Sequence, residues 1–370
     1  MSIEYCYYCG KTVLSRGEYE DMCLDCEELE EDLLDCPYKD MTNQIIQGDC
    51  LTELKKLLDE SIDCIITSPP YYGLRDYGVE GQLGLEKTLE EYLEKMFLIT
   101  AELKRVLKKT GTIFWNHGDS YGSGSGAGVR GGKQATNRGT QTNKGWQKSG
   151  KSPIIGYEKS LLLQNFRLVQ RMIDEQQLIL RNVLIWHKPN CMPSSVKDRF
   201  TVDFEPVFFF SKSKKYWFEQ QFESYAESSV GRYKLANSRS GVEDAAKIKG
   251  DLSKPRYKRG QGTIASRGDS IDGLVVGGTN PLGRTKRAVW KIPTQPFKEA
   301  HFATFPEALI EPMIKAGCPE AGIVLDPFMG SGTVAVVAKK LKRDWLGIEL
   351  NKSYIDIAEA RIKAIPTPLL

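Results

Sequence analysis

A short stretch at residues 63–78, DCIITSPPYYGLRDYG, begins as an apolar strand and then changes to two prolines followed by two tyrosines. Pro69 and Pro70 lack a backbone N–H and have a fixed φ, so a central strand cannot continue through them. They predict instead a rigid, extended turn at the carboxyl end of the strand. Because open α/β sheets bind their ligands at that edge, the sequence predicts a ligand site around Ser68 and Tyr71.

A glycine-rich turn near the end of the chain has the features of a nucleoside-binding edge. The segment IVLDPFMGSGT places a buried strand ending at Asp326 before Gly330 and Gly332, and a helix is predicted to begin at Thr333. The turn lacks the G-x-G-x-x-G pattern of dinucleotide sites and the lysine of phosphate-binding loops, which disfavours both classes. In the next strand, Glu349 is placed to accept hydrogen bonds from both hydroxyls of a ribose. The alternative is a structural glycine turn beside an unrelated surface glutamate.

Strand-like and helix-like segments alternate from residue 43 onward. Strands are predicted in NQIIQGD, IDCIIT, TGTIFWNHGD, RNVLIWHK, VDFEPVFFFSK, AGIVLD and DWLGIEL. Helices are predicted in LTELKKLLDE, TLEEYLEKMFLITAELKRVLKK and LLLQNFRLVQRMIDEQQ, from Thr333, and in NKSYIDIAEARIKA. Strands separated by amphipathic helices predict a mainly parallel, doubly wound α/β sheet.

The net charge of +3 conceals an uneven distribution of charge. Residues 1–40 carry 12 acidic and 3 basic side chains, so the remaining 330 residues have a net charge of +12. Two irregular segments concentrate the basic charge: residues 121–151 have six Lys or Arg and no acid, and residues 230–260 have nine basic and three acidic side chains. Both segments are suited to holding a polyanion by phosphate contacts and aromatic stacking, and the alternative is that they are solvated linkers.

Five of the nine cysteines lie within the first 36 residues. Cys6, Cys9, Cys23 and Cys26 form a C-x2-C-x13-C-x2-C array, which predicts one tetrahedral structural zinc. The rival interpretations are a disulfide pair, which is disfavoured in a cytoplasmic chain, and a redox C-x-x-C, which would not need a second copy of the motif. The acidic run EELEEDLLD that follows argues against phosphate contacts by this module, and favours a structural role or protein contacts.

The first residues, MSIEYCYYCG, lack the basic and apolar regions of a signal peptide. No stretch of the sequence approaches the roughly 18 consecutive apolar residues of a membrane span. The expectation is a cytoplasmic protein without membrane contact.

The motifs DPFMGSGT and GIEL, preceded by TSPPYYGLRDYG, resemble the S-adenosylmethionine-dependent DNA methyltransferases that modify the N4 amino group of cytosine or the N6 amino group of adenine. The order of these motifs is similar to the beta arrangement of that family. The resemblance implies a Rossmann-like methyltransferase sheet, circularly permuted so that the glycine-motif strands come last. The expected domains are a zinc-ribbon-like module at 1–40, a first catalytic part at 41–222, a target-recognition insert at 223–285 and a second catalytic part at 286–370, with the 121–151 loop closing over DNA.

The resemblance assigns cofactor contacts to individual positions. Asp49 matches the acidic residue that accepts a hydrogen bond from the adenine amino group of the cofactor, and Glu349 would hold the ribose of the cofactor. The segment HFATFPEALI is similar to the family's segment beside the methionine end of the cofactor. His187 and His301 are not interpreted as bases, because histidines on strands and loops are usually structural. The residues implied to contact S-adenosylmethionine are Asp49, His301, Phe302, Thr304, Phe305, Asp326, Phe328, Gly330, Gly332, Thr333 and Glu349.

The resemblance also implies what the diproline turn does. An exocyclic amino nitrogen is a poor nucleophile because its lone pair is delocalised into the ring of the base. Acceptors for both N–H hydrogens would restore that lone pair, and the Ser68 hydroxyl and the Pro69 carbonyl would be those acceptors, held by Pro70. Tyr71 would stack on the target base, which must first leave the duplex at a cost of about a few kcal/mol.

The commonest variant of the motif has aspartate where this chain has Ser68, and serine favours cytosine as the target. A neutral serine takes up a proton poorly, so Asp76 or Asp119 would be the assisting carboxylates unless they are turn or capping residues. Tyr72 is either a second wall of the base pocket or a core residue. The chemistry needs no metal, because the methyl donor is already activated.

The sequence therefore predicts a site-specific methyltransferase acting on double-stranded DNA, with cytosine N4 favoured and adenine N6 as the alternative. More distant alternatives are an RNA or protein amide methyltransferase and a catalytically idle nucleic-acid-binding protein. The resemblance leaves open a homodimer and a companion restriction endonuclease.

Overall fold

The computed structural model describes residues 42–122, 157–225, 283–295 and 304–366, together with the backbone of residues 3–5 and 12–14. The predicted zinc ligands Cys6, Cys9, Cys23 and Cys26 lie outside the described residues, as do His301, Phe302 and most of the segments 121–151 and 223–285. The chain forms two compact units, Met1–Trp217 with Lys291–Leu370, and Phe218–Trp290.

Each predicted strand and helix has a counterpart in the structure, which adds the unpredicted helix Glu307–Gly317 and five short strands among the described residues. The strands are β1 (Ile3–Tyr5), β2 (Thr12–Leu14), β3 (Gln44–Gln47), β4 (Ile62–Thr67), β5 (Leu107–Asn116), β6 (Ile179–His187), β7 (Phe204–Ser211), β8 (Phe222–Glu223), β9 (Arg284–Thr285), β10 (Val289–Lys291), β11 (Ile323–Asp326) and β12 (Asp344–Glu349). The helices are α1 (Cys50–Leu54), α2 (Leu89–Val106), α3 (Gln164–Asp174), α4 (Glu307–Gly317), α5 (Thr333–Lys340) and α6 (Lys352–Lys363).

In the first unit seven of the described strands form one large sheet in the order β6-β7-β5-β4-β11-β12-β3. The neighbours among β5, β4, β11, β12 and β3 pair in parallel. Among these seven strands, β7 alone runs opposite to the other six, since it pairs antiparallel with both β5 and β6. The amino end of β7 therefore lies at the same edge of the sheet as the carboxyl ends of the other strands.

Helices cover both faces of this sheet, as a doubly wound fold requires. Ile65 of β4 lies in the hydrophobic core together with Met96 and Leu103 of α2. Its neighbour Cys64 points to the other face, where a Cβ added to Gly317 of α4 would lie 3.4 Å from the Cys64 sulfur. All six residues of β4 are buried, which is why this strand is a continuous apolar run rather than an alternating one.

Several predicted helix boundaries were wrong: the helix predicted for LTELKKLLDE ends at Leu54, and the one predicted for LLLQNFRLVQRMIDEQQ spans only Gln164–Asp174. The helix predicted for TLEEYLEKMFLITAELKRVLKK ends at Val106, and the three residues that follow are already part of β5. Leu107 has an extended backbone with φ −72° and ψ 131°, is fully buried, and pairs with Ile62 of β4. Sheet pairing and burial of Leu107 outweigh the helix propensity of the lysines after it.

The second unit is described only in part. Its strands β8 and β9 pair antiparallel, with Phe222 opposite Thr285 and Glu223 opposite Arg284. The Glu223 carboxylate accepts from Arg284 Nε at 2.9 Å and from Arg287 Nε at 2.6 Å.

Near the start of the chain, the backbones of β1 and β2 pair antiparallel. Within the described ranges, no helix is long and apolar enough to cross a membrane.

Candidate active site

The carboxyl end of β4 lies beside that of β11, and a side-chain hydrogen bond joins the two. Thr67, the last residue of β4, donates from Oγ1 to Oδ1 of Asp326, the last residue of β11, at 2.7 Å. The two strands pair in parallel. The diproline turn after Thr67 and the glycine turn after Asp326 are 259 residues apart in sequence, yet they start from adjacent points of one sheet edge.

A chain of hydrogen-bonded, buried polar groups supports the diproline turn. The carbonyl of Pro70 accepts from the hydroxyl of Tyr92 on α2 at 2.9 Å, and that hydroxyl lies 3.2 Å from Nε2 of His117. Trp115 Nε1 donates to Nδ1 of His117 at 3.3 Å, and because an indole N–H can only donate, the proton of the neutral imidazole is on Nε2. His117 Nε2 therefore donates to Tyr92, and Tyr92 donates to Pro70.

Burial lowers the pKa of His117 to about 3, so this imidazole is neutral at physiological pH. The ring of Tyr71 packs against it, with 5.2 Å between ring centroids and 34° between the planes. A Cβ added to Gly118 would lie 2.7 Å from Cε2 of Tyr71, so the lack of a side chain at Gly118 makes room for the tyrosine ring. The position of Tyr71 is thus fixed by the residues that directly follow β5.

The hydroxyl of Tyr71 connects Ser68 to a carboxylate. Ser68 Oγ lies 3.3 Å from Tyr71 Oη, and Tyr71 donates to Oε2 of Glu205 at 3.2 Å. Oε1 of Glu205 accepts from the ammonium group of Lys188. Burial, followed by the nearby charge of Glu205, raises the pKa of Tyr71 well above its usual value, so Tyr71 keeps its proton.

Glu205 reaches this edge because β7 runs against the other strands. It is the second residue of β7 and lies opposite Trp186 of β6, with Lys188 just beyond the end of β6. The Lys188 ammonium also lies 4.1 Å from the centre of the Trp186 ring. Sequence reasoning missed Glu205, Lys188 and His117. An available signal was the lone acidic residue in the apolar strand FEPVFFF.

Asp326 is a buried carboxylate with one oxygen satisfied and one open. Its Oδ1 accepts from Thr67 and from the Phe328 backbone N–H, at 2.7 and 3.1 Å. Its buried Oδ2 has no hydrogen-bond partner among the described residues. Burial raises the pKa of Asp326 to about 7, against the opposing effect of the hydrogen bond from Thr67. A buried acceptor without a partner at a strand end is a place for a ligand donor.

The glycine turn approaches Glu349 through its backbone. Gly330 and Gly332 have φ of +52° and +78°, in the left-handed region that favours glycine. The Gly330 N–H donates to Oε2 of Glu349 at 2.7 Å, and the Asn351 N–H donates to Oε1 at 2.8 Å. Burial raises the pKa of Glu349, and these hydrogen bonds oppose the shift. A Cβ on Gly330 would have nothing closer than the Phe328 carbonyl oxygen at 4.0 Å, so its α-carbon faces open space.

A small pocket adjoins the start of α5. It brings Thr304 and Phe305 together with Thr333, three of the residues expected to line one cofactor site. Arg361 of α6 also lines this pocket and donates to Oγ1 of Thr333 at 3.1 Å and to Oγ of Ser331 at 3.0 Å. The arginine thereby fixes the hydroxyls at the amino end of α5.

Asp49 lies at the end of β3, next to the end of β12. The Gly48 N–H donates to the Glu349 carbonyl at 3.0 Å, so Asp49 and Glu349 lie at the ends of neighbouring strands. The exposed carboxylate of Asp49 accepts from the backbone N–H and the hydroxyl of Thr52, at 2.9 and 2.8 Å, and so caps α1.

Comparison with known proteins agrees with this arrangement. The model of the DNA methylase family matches residues 62–360. The chain belongs to the DNA methylase family. This methylase is 36% identical over 319 residues to the Type II methyltransferase M.XycI of Xanthomonas campestris pv. cyanopsidis, a match covering 86% of this chain and 87% of that protein. It is 34% identical over 338 residues to the Type II methyltransferase M.SmaI of Serratia marcescens, covering 91% and 94%.

The methylase also shares a fold with a solved structure, the PvuII DNA methyltransferase (cytosine-N4-specific). The two have a TM-score of 0.53 and 19% sequence identity, over 88% of each chain. The mixed α/β methyltransferase fold around a large central sheet is therefore confirmed, as are the predicted enzyme class and the link to restriction-modification methyltransferases. DNA is the substrate of such an enzyme, so the interpretation as an idle binding protein was wrong.

The structure assigns other roles to several side chains considered for the chemistry. Tyr72 is 1% exposed and its backbone N–H donates to Oε1 of Gln164 at 2.8 Å, so Tyr72 is a core residue. Asp76 accepts from the Gly78 N–H at 2.8 Å within its own turn. Asp119 accepts from the Leu163 and Gln164 N–H groups at the start of α3, at 2.9 and 3.3 Å.

The segment after the diproline turn reaches the helix α6 that follows β12. Tyr77 packs edge to face against Tyr354 of α6, with ring centroids 6.5 Å apart. Burial raises the pKa of Tyr77, with Arg75 opposing and Glu349 adding to the shift, so both charged side chains lie near the Tyr77 hydroxyl. Sequence reasoning did not single out Arg75, Tyr77 or Tyr354, since their closeness depends on the fold.

Proposed function

We propose that this methylase transfers a methyl group from S-adenosylmethionine to the exocyclic amino group of a base flipped out of double-stranded DNA, and that the base is cytosine, modified at N4. The observation that most strongly supports this proposal is the hydrogen bond between Thr67 and Asp326. It joins the turn that presents Ser68 to the turn that would bind the cofactor. The two reactants would therefore meet at one sheet edge.

Three features of the described residues fit the cofactor. Oδ2 of Asp326 is a buried acceptor that none of the described side or main chains satisfies, Gly330 leaves open space above the glycine turn, and Glu349 lies beside that turn. The sulfonium of S-adenosylmethionine, when bound, supplies an electrophilic methyl group. In this proposal the residues holding the cofactor are Asp49, His301, Phe302, Thr304, Phe305, Asp326, Phe328, Gly330, Gly332, Thr333 and Glu349.

The residues proposed to act on the base are Ser68, Pro69, Pro70 and Tyr71. Ser68 Oγ and the Pro69 carbonyl accept the two amino hydrogens, and the nitrogen lone pair is thereby freed to attack. Tyr92 bonds the Pro70 carbonyl at 2.9 Å, which supports a rigid turn with acceptors placed before the substrate arrives. The ring of Tyr71, fixed by its contact with His117, would form one wall of the base pocket.

The choice of cytosine rests on Ser68, a neutral acceptor, and adenine N6 remains the second candidate by the same mechanism. The name of the PvuII enzyme specifies cytosine N4, but a likeness at 19% identity supports the fold alone. The test is mass spectrometry of nucleosides from DNA incubated with the methylase and S-adenosylmethionine. N4-methylcytosine supports the serine argument. N6-methyladenine as the product would contradict it while leaving the transfer mechanism intact.

The rest of the chain is proposed to serve DNA recognition and assembly. The segment 223–285 would read the target sequence and 121–151 would close over the DNA, since both are basic and interrupt the catalytic segments 41–222 and 286–370. Because cellular DNA is the substrate, we propose a cytoplasmic location. The Type II relatives motivate a companion restriction endonuclease, and a homodimer is a further proposal.

The sheet order supports a circular permutation. The glycine-turn strand β11 lies in the middle of the sheet but near the end of the chain, with β12 and then β3 to one side and β4 and β5 to the other. In a doubly wound nucleotide-binding fold the corresponding strand comes first in the chain. A permutation of the chain order would give this arrangement without altering the sheet.

The N-terminal cysteines are proposed to bind one structural zinc within a ribbon at residues 1–40. The proposal rests on the spacing of Cys6, Cys9, Cys23 and Cys26. Elemental analysis of the purified protein should find about one zinc per chain, and Cys9→Ser should lower that content. Zinc far below one per chain would dispose of the ribbon. Chelation should loosen residues 1–40 chiefly and leave the catalytic domain folded.

A further inference from the structure

The hydrogen-bonded chain from Ser68 to Glu205 is longer than acceptance of an amino hydrogen requires. Ser68 Oγ, Tyr71 Oη and Oε2 of Glu205 follow one another at 3.3 and 3.2 Å. All three side chains belong to the first unit and lie at the carboxyl edge of its sheet. A wall of a base pocket would need only the ring of Tyr71, so the placement of its hydroxyl calls for a separate explanation.

The reaction produces a proton that must leave the site. Attack of the amino nitrogen on the methyl group forms an N–C bond and breaks the S–C bond, and the nitrogen then carries two hydrogens and a positive charge. A nitrogen whose lone pair belongs to the conjugated ring is strongly acidic in that state. The serine hydroxyl is neutral and cannot retain the proton, so a base is needed behind it.

We propose, on the basis of the function proposed above, that Glu205 is the final proton acceptor and that the hydroxyls of Ser68 and Tyr71 relay the proton to it. The methylated nitrogen gives its proton to Ser68 Oγ, Ser68 passes its own hydroxyl proton to Tyr71 Oη, and Tyr71 passes its proton to Oε2 of Glu205. Each oxygen gains one proton and loses one, except the carboxylate, which becomes a carboxylic acid. No oxidant or further reactant is involved.

The direction of the hydrogen bonds suits this relay. Tyr71 donates its only proton to Glu205, so its oxygen can accept from Ser68. With its proton directed at Tyr71, Ser68 presents lone pairs to the amino group of the base. The carboxylate thus makes the neutral serine a better acceptor through an intervening tyrosine, which places behind Ser68 the negative charge that an aspartate would carry at that position.

Glu205 is the carboxylate that hydrogen bonds connect to Ser68 through Tyr71. The hydroxyl of Tyr71 and the Lys188 ammonium after β6 donate to it, and the neutral His117 after β5 packs against the ring of Tyr71. Asp203, two residues before Glu205 in sequence, pairs with His187, with Oδ2 and Nε2 at 3.4 Å. Lys188 pairs with Oε1 of Glu205 and leaves Oε2 for Tyr71. The carboxylates of Asp76 and Asp119 have other partners. Asp76 accepts from a backbone N–H within its own turn, and Asp119 accepts from a backbone N–H at the start of α3.

The relay is tested by single-turnover methyl transfer with cofactor and DNA bound. Glu205→Gln and Tyr71→Phe each remove one step with little change of shape. Both should slow transfer by about 10²-fold, the usual contribution of a general base, while dissociation constants for cofactor and DNA stay within about twofold. Matched controls are Glu60→Gln, which breaks an ion pair with Lys212 at 3.0 Å, and Tyr216→Phe, whose hydroxyl accepts from Arg181 at 2.9 Å. The controls should retain the wild-type rate.

A chemical rescue separates proton transfer from a structural effect. In Glu205→Ala, formate, acetate and propionate at equal anion concentrations should restore the transfer rate in the order of their basicity. Unchanged rates in Glu205→Gln and Tyr71→Phe, a parallel loss of binding, or a loss of rate that no carboxylate restores would each overturn the relay. The proposed function is judged separately, because it fails only if the wild-type protein forms no methylated amino group on DNA.

Discussion

The hydroxyl of Thr67 donates a 2.7 Å hydrogen bond to the carboxylate of Asp326, and this bond joins the two halves of the candidate site. Thr67 precedes the turn proposed to hold the target base, and Asp326 precedes the turn proposed to hold the methyl donor. Both residues are buried, at 0% and 2% exposed, so the bond is shielded from solvent. The distance between the two turns is set by the pairing of β4 with β11, not by a mobile loop.

Removal of the Ser68 hydroxyl should impair chemistry and spare binding. Ser68→Ala deletes one amino-hydrogen acceptor, so turnover should fall by about 10²-fold or more, with cofactor affinity near normal. Turnover and calorimetric cofactor binding are the measurements. Ser61→Ala is the matched control, because Ser61 precedes the same strand and its hydroxyl donates to the Leu58 carbonyl at 2.8 Å. Loss of cofactor binding in Ser68→Ala would show that Ser68 is structural.

Asp326 should make the folded protein less stable as the pH rises. Its pKa is about 7 in the folded protein against 3.8 in the unfolded chain, so between these values the folded state holds a proton that the unfolded state has released. The free energy of unfolding should therefore fall with rising pH, with a slope approaching about 1.4 kcal/mol per pH unit. Asp326→Asn removes this dependence. Its stability relative to wild type should increase from pH 3.8 to 7, and a flat difference would contradict the assignment.

His117 should make the folded protein less stable as the pH falls. Its pKa is lowered from 6.5 to about 3 by burial, so at pH below 6.5 the unfolded chain gains a proton that the folded protein excludes. Stability should be lost as the pH falls through this window, by up to roughly 1.4 kcal/mol per pH unit. His117→Gln should therefore gain stability relative to wild type as the pH falls from 6.5 to 3. Chemical unfolding at several pH values measures it, and a difference independent of pH would count against a buried neutral imidazole.

The two glycines of the cofactor turn should respond differently to alanine. Both have positive φ, which costs a non-glycine residue about 1 kcal/mol. A Cβ at Gly332 would also lie 2.8 Å from the Cβ of Ala358 on α6, whereas a Cβ at Gly330 would enter open space. Gly332→Ala should therefore lower stability by at least about 1 kcal/mol more than Gly330→Ala.

Cofactor affinity should respond chiefly to the change at Gly330. Gly330→Ala should weaken cofactor binding with little further loss of stability, since its methyl group would occupy the space proposed for the ligand. Unfolding free energies and calorimetric cofactor titrations of the two variants test this. Equal stability in both variants would contradict the predicted clash at Gly332. Wild-type affinity in Gly330→Ala would contradict the placement of the cofactor at this turn.

Local sequence signals sufficed for the strands β3–β7, β11 and β12 of the large sheet, for both turns and for the fold class, but not for the helix α4 or the short strands. The diproline and the glycine turn follow from backbone chemistry at a few positions, and the helix–strand alternation follows from hydrophobic periodicity. The end of α2 at Val106 was missed, because the pairing of Leu107 with Ile62 depends on a strand 45 residues away in sequence. Short-range propensity has no information about such a partner.

The candidate site was predictable where a residue acts within its own turn and not where it acts across strands. Ser68, Asp326 and Glu349 occupy strand ends that the motifs mark. Glu205 reaches Tyr71 only because β7 runs antiparallel to β5, and their contact spans 134 residues of sequence. His117 looked like an ordinary histidine at a strand end, and its role in holding the Pro70 carbonyl becomes visible only with Tyr92 beside it.

The proposed methyl transfer to DNA is tested most directly with a labelled methyl group on S-adenosylmethionine, offered at once to DNA, RNA and protein. We expect label in DNA, on an exocyclic amino nitrogen, and its near absence with Ser68→Ala under the same conditions. Label found only on RNA or protein, or label in DNA that is unaffected by Ser68→Ala, would contradict this proposal.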